Sequence, residues 1–476
     1  MTLSIAFHGA AGTVTGSKYL LTAGPSSVAV DYGMFQGEKR LRELNWAAAP
    51  YPPNAPSAVV LTHAHIDHSG LLPRLVREGF RGPIFATAAT GEMVRILLMD
   101  SARLQEEDAE YANRKGFSRH HPALPLYTER DVDRTMSHLR AARFRQRIDV
   151  STEISAEFFN AGHILGAAFI GVTCEVPEGS ARIVFSGDVG RYGAPLHSDP
   201  DPMPECDVLV LESTYGDRSH GDEPIEDQIE RAFRPTIERG GIILIPAFAV
   251  ARAQLVAIIL RNLIATKRLP EIPIHIDSPM ASDVTSIYNH YIKSESLDQN
   301  IPFTSQRSLF PTNVRFHRSV QESRDLNALG GPRIIISSSG MLSGGRVLHH
   351  LKRVAGDPKN LIALVGYQAG GTRGRDLAEG RRDVRVHGQN VHVNAQVVNL
   401  HGLSAHADRD ELVRWVKTQP KLPRAIYLTH GDQAPRAAMK AFIEQELGIA
   451  AVLPGMGEEH DLGWLFARGQ GAGTPG

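Results

Sequence analysis

The chain has 476 residues, 42% hydrophobic and 22% charged, which is typical of a globular protein with two or three domains. Its net charge of -1 weighs against a nonspecific nucleic-acid binder, although bound divalent cations would add positive charge. We find no apolar run near the ~18 residues of a membrane span and no signal-peptide pattern. Only Cys174 and Cys206 are present, and neither lies in a C-x-x-C motif. We therefore expect reduced thiols and a cytoplasmic location.

The first predicted strand begins at about Leu3. The glycine-rich stretch from Phe7 to Ser17 that follows it is either a simple hairpin turn or a tight loop near a site. A second apolar run, Val28 to Val30, ends in Asp31. That carboxylate could orient a metal-bound histidine or cap a turn.

The most informative segment follows the short apolar run Val59–Leu61. It places His63, His65, Asp67 and His68 within six residues. One reading is a polar loop whose histidines bond to the backbone. We prefer metal binding, because imidazole nitrogens and carboxylate oxygens are the ligands of Zn²⁺. Four candidate ligands exceed the three protein ligands usual for one catalytic zinc, so the loop predicts two metals and further ligands elsewhere.

Further histidines and acids follow other apolar segments, as expected when the strand ends of an α/β fold build a site. The carboxylate after Ile183–Phe185 is the candidate bridge between two cations. His406, which comes just before a predicted amphipathic helix, could be a ligand or an acid–base group. In chain order these residues are His163, Asp188, Glu212, His406 and His430.

Residues 218–395 alternate helix and strand, so we expect a separate parallel α/β domain there. Its strand-end loops carry hydroxyl, glycine and arginine residues, which suit contacts with phosphate. The alternative is ordinary strand-to-helix turns. The candidate substrate-binding residues are Arg252, Ser337, Ser338, Ser339, Gly371, Thr372 and Arg373.

Together these motifs resemble the metallo-β-lactamase superfamily, and more narrowly its β-CASP branch of RNA-processing nucleases. Seven motifs occur in the family's order, interrupted by a domain-sized insert of about 180 residues. They are Asp31 for the first motif, His63-x-His65-x-Asp67-His68 for the second, His163 for the third, Asp188 for the fourth, and Glu212, His406 and His430 for motifs A, B and C.

The resemblance implies an α/β fold, an αββα metallo-β-lactamase sandwich with an inserted parallel α/β β-CASP domain. We expect the sandwich at residues 1–217 and 396–466 and the insert at 218–395. Residues 467–476 are rich in glycine and poor in apolar residues, and we expect them to be disordered.

The resemblance also implies a ligand set and a reaction. One Zn²⁺ takes His63, His65, His163 and Asp188, and the other takes Asp67, His68, Asp188 and His430, with Mn²⁺ as the alternative metal. Asp31 supports the ligands. Asp67, His406 and Glu212 are the expected catalytic residues. The expected reaction is hydrolysis of RNA by a hydroxide held between the metals.

Several questions stay open at this stage. We expect an endonuclease, with 5′–3′ exonuclease action as a second mode, no membrane association, and a homodimer as one state the chain could adopt. The motif C histidine, which DNA-repair members lack, favours RNA over DNA. The alternatives are a small-molecule hydrolase of the same fold, a noncatalytic RNA-binding scaffold and a DNA nuclease.

Overall fold

The computed structural model describes residues 3–116, 118, 120–221, 223–298, 309–310, 313–366, 368 and 370–467. These residues form two compact units. The first comprises residues 1–192, 199–219 and 406–476, and the second comprises 193–198 and 220–405. The expected disordered tail lies, from residue 468 onward, outside the described ranges. The domain limits expected from the sequence stay a prediction.

The strands follow one another along the chain as β1 (Leu3–Phe7), β2 (Tyr19–Ala23), β3 (Ser26–Val30), β4 (Ala58–Val60), β5 (Ile84–Thr87), β6 (Leu139–Ala142), β7 (Arg147–Asp149), β8 (Ile154–Asn160), β9 (Ala168–Val176), β10 (Gly179–Phe185), β11 (Val208–Glu212), β12 (Ile242–Pro246), β13 (Ile274–Asp277), β14 (Val314–Phe316), β15 (Arg333–Ser337), β16 (Leu361–Val365), β17 (Asp383–Val386), β18 (Gln389–His392), β19 (Gln396–Leu400), β20 (Ala425–Thr429), β21 (Ala451–Val452) and β22 (Glu459–Asp461).

The helices are α1 (Lys39–Leu44), α2 (Ile66–Ser69), α3 (Leu72–Glu78), α4 (Ala88–Lys115), α5 (Glu129–His138), α6 (Ile225–Glu238), α7 (Arg252–Ala265), α8 (Pro279–His290), α9 (Val320–Ala328), α10 (Val347–Val354), α11 (Arg373–Ala378), α12 (Arg409–Val416) and α13 (Gln433–Leu447), with a 3₁₀ turn at Gly463–Phe466. Among the described helices, none is long and apolar enough to cross a membrane.

The first unit contains two seven-stranded sheets that share one apolar core. Their strand orders are β22-β1-β2-β3-β4-β5-β6 and β21-β20-β11-β10-β9-β8-β7. Phe7 from the first sheet and Phe158, Phe185 and Tyr427 from the second are buried in the same cluster. Helices α4 and α13 contact strands β5 and β20, one in each sheet. The metallo-β-lactamase fold expected from the sequence is therefore confirmed.

The second unit is built on a six-stranded sheet with the order β14-β13-β15-β12-β16-β19. All its pairs are parallel, and the short antiparallel hairpin β17-β18 lies outside it. The parallel α/β architecture expected for this part of the chain is confirmed. Because all six strands run the same way, the loops that follow them emerge at one edge of the sheet.

The packing of the two sheets can be tested at Phe158, which is fully buried in the shared core. Phe158→Ala should lower the free energy of unfolding of the first unit by about 3–5 kcal/mol, because it removes a large apolar side chain and leaves a cavity. Urea unfolding followed by tryptophan fluorescence measures this, since Trp46, Trp415 and Trp464 all belong to that unit. Leu104→Ala on the exposed side of α4 is the control, with an expected change within about 0.5 kcal/mol.

Candidate metal centre

The histidine loop begins where β4 ends. Strand β4 pairs in parallel with both β3 and β5, so its following residues emerge at the carboxyl edge of that part of the sheet. Helix α2 then starts at Ile66, directly after His65, and the carbonyl of His65 accepts from the backbone N–H groups of His68 and Ser69 at 2.9 Å. This abrupt turn separates the loop into an extended half, with His63 and His65, and a helical half, with Asp67 and His68.

Four side chains from three segments of the first unit converge at the extended half. Ligand atoms of His63, His65, His163 and Asp188 all lie within 4.8 Å of one another. His65 Nδ1 is 3.0 Å from His63 Nε2 and 3.3 Å from His163 Nε2. Nitrogens bound tetrahedrally to one zinc ion lie about 3.4 Å apart. The spacing of these imidazoles therefore fits a single cation between them.

A second group forms at the helical half of the loop from Asp67, His68 and His430. His430 Nε2 lies 3.4 Å from Asp67 Oδ2. His430 follows β20 directly, so its position depends on the second sheet, whereas Asp67 and His68 depend on the first. The second group therefore exists only when the two sheets are packed together.

Asp188 lies between the two groups. Its Oδ2 is 3.3 Å from His63 Nε2, and its Oδ1 is 3.3 Å from His68 Nε2. The side chain is buried, and Oδ1 makes no hydrogen bond to any residue that the structure describes. A buried carboxylate oxygen without a hydrogen bond is costly, and a cation on each side would satisfy it. The donor set thus fits two cations that share Asp188.

Asp31 contacts His68 at Nδ1, the ring nitrogen that does not face Asp188. Its Oδ2 lies 2.7 Å from His68 Nδ1, and its Oδ1 accepts from the backbone N–H of Thr62 at 2.8 Å. Asp31 adopts a left-handed backbone conformation, with φ of 57°, which aspartate tolerates better than most residues. When the ring is neutral, a carboxylate on Nδ1–H leaves the lone pair on Nε2, the nitrogen that faces Asp188. The structure thus places Asp31 in contact with His68, and its supporting role stays a prediction.

Burial sets the charge of the first group. It lowers the pKa of His63 to about 3 and of His65 to about 4, mainly through loss of hydration. His163 is shifted in the same direction for the same reason. These imidazoles are therefore neutral near pH 7, which is the form that binds a metal.

His68 behaves in the opposite way. Burial alone would lower its pKa, but the carboxylates of Asp188 and Asp31 raise it well above 6.5. For Asp67, burial opposes ionisation, yet His430, whose Nε2 lies 3.4 Å from Asp67 Oδ2, and the neighbouring histidines lower its pKa below 3.8 overall. A cation that binds the second group must therefore displace a proton from His68.

His406 and Glu212 form a pair beside the two groups. His406 Nδ1 is 3.0 Å from Glu212 Oε2 and 3.9 Å from Asp188 Oδ2. Glu212 is fully buried, and its Oε1 accepts from the backbone N–H of Val189 at 2.7 Å. Burial opposes the charge on His406, but Glu212 and Asp188 raise its pKa to about 9. The ring is an imidazolium at neutral pH and can give up a proton.

Two residues at this site were missed by the sequence reasoning, and both are threonines. Thr62 Oγ1 lies 2.8 Å from Asp31 Oδ2 and 3.0 Å from His63 Nδ1. Thr214 Oγ1 lies between Glu212 and His430. A signal for the first was present in the sequence, because a Thr-His pair lies at or just after the end of a buried strand at both 62–63 and 429–430.

The candidate substrate-binding residues lie in the second unit. Ser337 is the last residue of β15, Ser338 and Ser339 follow it, Gly371 and Thr372 lie between β16 and α11, and Arg252 and Arg373 begin α7 and α11. Ser337 is buried and donates to the carbonyl of Asp277. Ser338 and Ser339 are half-buried. Thr372 caps α11, and Arg373 donates to the carbonyls of Arg385 and Leu342.

The same edge of that sheet holds a buried network that the sequence reasoning did not identify. Asp277, which ends β13, has no exposed surface. Its Oδ1 accepts from Arg346 at 2.7 Å, and its Oδ2 lies 2.6 Å from His350 Nε2 and accepts from Ser323 at 2.5 Å. Every oxygen of this carboxylate has a partner, which indicates that the network holds the loops in place.

The fold and the clustered histidines and carboxylates define a metallo-hydrolase of the metallo-β-lactamase superfamily. Three family models match the chain: the metallo-beta-lactamase superfamily domain at residues 20–187, the Beta-Casp domain at 253–377, and the Zn-dependent metallo-hydrolase RNA specificity domain at 390–454. The chain belongs to the β-CASP family of this superfamily, as the sequence motifs predicted.

Relatives match over most of the chain. Ribonuclease TTHA0252 of Thermus thermophilus is 36% identical over 449 residues, which cover 93% of this chain and 97% of that protein. Transcription termination factor FttA of Methanosarcina mazei is 29% identical over 447 residues, which cover 91% of this chain and 67% of that protein. A solved structure from Enterococcus faecalis V583, described as a protein of unknown function, covers 97% of this chain with a TM-score of 0.53 at 14% identity, which supports the fold alone.

The opposite protonation of the two groups predicts different pH dependences of zinc binding. Affinity at the second group should rise with pH, by up to about tenfold per pH unit below the raised pKa of His68, because His68 must lose a proton there. Affinity at the first group should change less, since His63 and His65 are already neutral. Competition with a chelator of known pH dependence measures both constants. Equal slopes for the two sites would contradict this assignment of charge.

Proposed function

We propose that this protein is a metal-dependent ribonuclease that hydrolyses phosphodiester bonds in RNA. The observation that carries the proposal is the His406–Glu212 pair 3.9 Å from Asp188, the carboxylate between the two ligand groups. A proton donor beside a two-cation site is what hydrolysis of a phosphodiester needs. The relative named Ribonuclease TTHA0252, similar along nearly the whole chain, and the match to an RNA specificity domain support RNA as the substrate.

The metal in this proposal is zinc at both groups, because histidine-rich donor sets favour zinc, with manganese as the alternative. His63, His65 and His163 would hold one ion, Asp67, His68 and His430 the other, and Asp188 would contact both. When bound, two such ions supply an activated water near neutral pH and positive charge for the scissile phosphate.

The protein groups then have separate tasks. Glu212 is buried and engages Nδ1 of His406, which assigns proton transfer to Nε2. His406 protonates the oxygen that leaves phosphorus, so that the departing strand leaves as a neutral alcohol rather than an alkoxide. Asp31 and Thr62 keep the ligand imidazoles in the orientation that the cations require.

The second unit contributes to RNA binding in this proposal. Ser338 and Ser339 offer half-buried hydroxyl groups at the carboxyl edge of its parallel sheet, and Arg252 begins α7 after the central strand β12. We assign Gly371, Thr372 and Arg373 a structural part in forming this edge, because the last two bond to the protein's own backbone. Ser337 is buried, and we assign it no direct contact with RNA.

We further propose cleavage within the RNA chain as the main mode, with 5′–3′ exonuclease action as the second mode. Incubation with RNA labelled at one end, bearing either a 5′-phosphate or a 5′-hydroxyl, separates the two modes. Internal fragments indicate an endonuclease and released mononucleotides a 5′ exonuclease. A matched DNA oligonucleotide tests the choice of RNA. A cytoplasmic location accords with the two free, buried cysteines, and homodimerisation stays a prediction.

Removing a ligand of the second group should abolish cleavage. Asp67→Ala takes away a half-buried carboxylate that is 3.4 Å from His430 Nε2, so zinc content should fall and RNA cleavage should drop below detection. Elemental analysis and a gel assay measure the two effects, and the circular dichroism spectrum should stay that of the wild type. Asp149→Ala, which changes an exposed aspartate of the same unit, is the control. Full cleavage by a zinc-depleted Asp67→Ala protein would refute a metal-dependent mechanism.

Removing the proton donor should slow cleavage without releasing metal. His406→Ala should lower kcat by about 100- to 10,000-fold, the usual contribution of a general acid. In the wild type, kcat should fall as the imidazolium of His406 is lost with rising pH. Because bound cations lower the pKa of about 9 given by Glu212 and Asp188, that fall begins at or below about pH 9. His120→Ala, at an exposed histidine, is the control and should change neither kcat nor the metal content. Unchanged kcat in His406→Ala would rule out its assigned role.

A further inference from the structure

Thr214 lies two residues beyond the end of β11. Strand β11 pairs in parallel with β20, and the last pair in that register joins Glu212 to Thr429. The residues that follow the two strands therefore emerge side by side, and Thr214 comes to lie next to His430. Ser213 fixes this arrangement, because its hydroxyl donates to the carbonyl of Thr429 at 2.7 Å.

The hydroxyl of Thr214 is shared by two side chains with different tasks. Its Oγ1 lies 2.7 Å from Glu212 Oε2 and 3.1 Å from His430 Nδ1, and the carbonyl oxygen of His430 is 3.2 Å away. A hydroxyl has one hydrogen to donate and lone pairs to accept. The carboxylate is both the nearest and the strongest acceptor, so the hydrogen goes to Glu212.

This leaves the threonine oxygen as an acceptor toward His430. Nδ1 of His430 must then carry the hydrogen, and the ring lone pair is on Nε2, the nitrogen 3.4 Å from Asp67 Oδ2. The other carboxylate oxygen near Nδ1, Asp188 Oδ1, is 3.6 Å away, beyond hydrogen-bond distance. The hydroxyl of Thr214 is therefore the group that fixes the tautomer of His430.

We propose that Thr214 is a positioning residue for the second metal: its hydroxyl, held by Glu212, orients His430 with Nε2 toward the cation. The proposal rests on the ligand groups assigned under the proposed function, but not on RNA as the substrate. It also links two parts of the site, because Glu212 holds both His406 and, through Thr214, a metal ligand.

The contact between Thr214 and His430 resembles the one between Asp31 and His68, the other histidine of the second ligand group. His68 is held at Nδ1 by the carboxylate of Asp31 at 2.7 Å, whereas His430 is held by a hydroxyl whose own hydrogen is committed to a carboxylate. In both cases Nδ1–H is engaged and Nε2 faces the cation site. Loss of such a supporting partner commonly weakens metal binding by about 10- to 100-fold.

The test is zinc binding by Thr214→Val, which keeps the shape of the side chain and removes the hydroxyl. Zinc affinity at the second group should fall by about 10- to 100-fold, while affinity at the first group stays within about twofold of the wild type. Competition with chelators of graded strength, in the absence of RNA, gives both constants. Thr214→Ser keeps the hydroxyl and should bind zinc within about threefold of the wild type.

Thr135→Val is the matched control. Thr135 is a buried threonine of the same unit, and its hydroxyl donates to a backbone carbonyl of α5 at 2.8 Å. It should lose stability without losing zinc. Wild-type affinity in Thr214→Val, equal weakening in Thr214→Ser, or a wild-type protein that binds one zinc ion would each overturn the proposal. A wild-type protein that binds two zinc ions and cleaves no RNA would refute the proposed function and leave the role of Thr214 intact.

Discussion

The centre of this molecule depends on a buried carboxylate that the protein alone does not satisfy. Asp188 is 2% exposed, and its Oδ1 has no hydrogen bond from the described residues, although imidazole nitrogens lie 3.3 Å from each of its oxygens. Such an arrangement is unfavourable unless positive charge compensates it. Burial keeps His63 and His65 neutral, so they serve as ligands and not as counter-ions, whereas the carboxylates of Asp188 and Asp31 raise the pKa of His68. In the proposed function, cations on both sides of Asp188 would compensate its charge, and the donors around it fit them.

Two sheets are needed to build this arrangement. His63 and His65 follow β4 of one sheet, whereas Asp188 follows β10 and His430 follows β20 of the other. Each strand delivers one or two polar residues at its end, while its interior contributes to the shared apolar core. The packing energy of that core therefore also sets the distances between ligands. This explains how neutral imidazoles can be held 3.0–3.3 Å apart.

The sequence patterns predicted features that depend on neighbouring residues. They did not reveal contacts that depend on the register between distant strands. His63, His65, Asp67 and His68 were recognisable because four ligands lie within one loop behind an apolar run, and the parallel α/β character of residues 218–395 followed from alternating segments. The part played by Thr214 could not be predicted, since it depends on the pairing of Glu212 with Thr429, more than two hundred positions apart. The burial of Ser337 depends in the same way on its place in a central strand, and a run of three serines does not reveal it.

The two histidines of the second group have unequal partners, and this difference has a chemical consequence. A carboxylate on Nδ1–H, as at His68, pushes electron density into the ring and strengthens the ligand more than a hydroxyl does at His430. The same carboxylate raises the pKa of His68, so the stronger ligand is also the one for which a proton competes. His430 is the weaker ligand, but its hydroxyl partner leads to Glu212 and from there to His406. In the proposed function, the second cation would therefore be held on one side by a ligand tuned for affinity, His68, and on the other by His430, which is connected to the proposed proton donor.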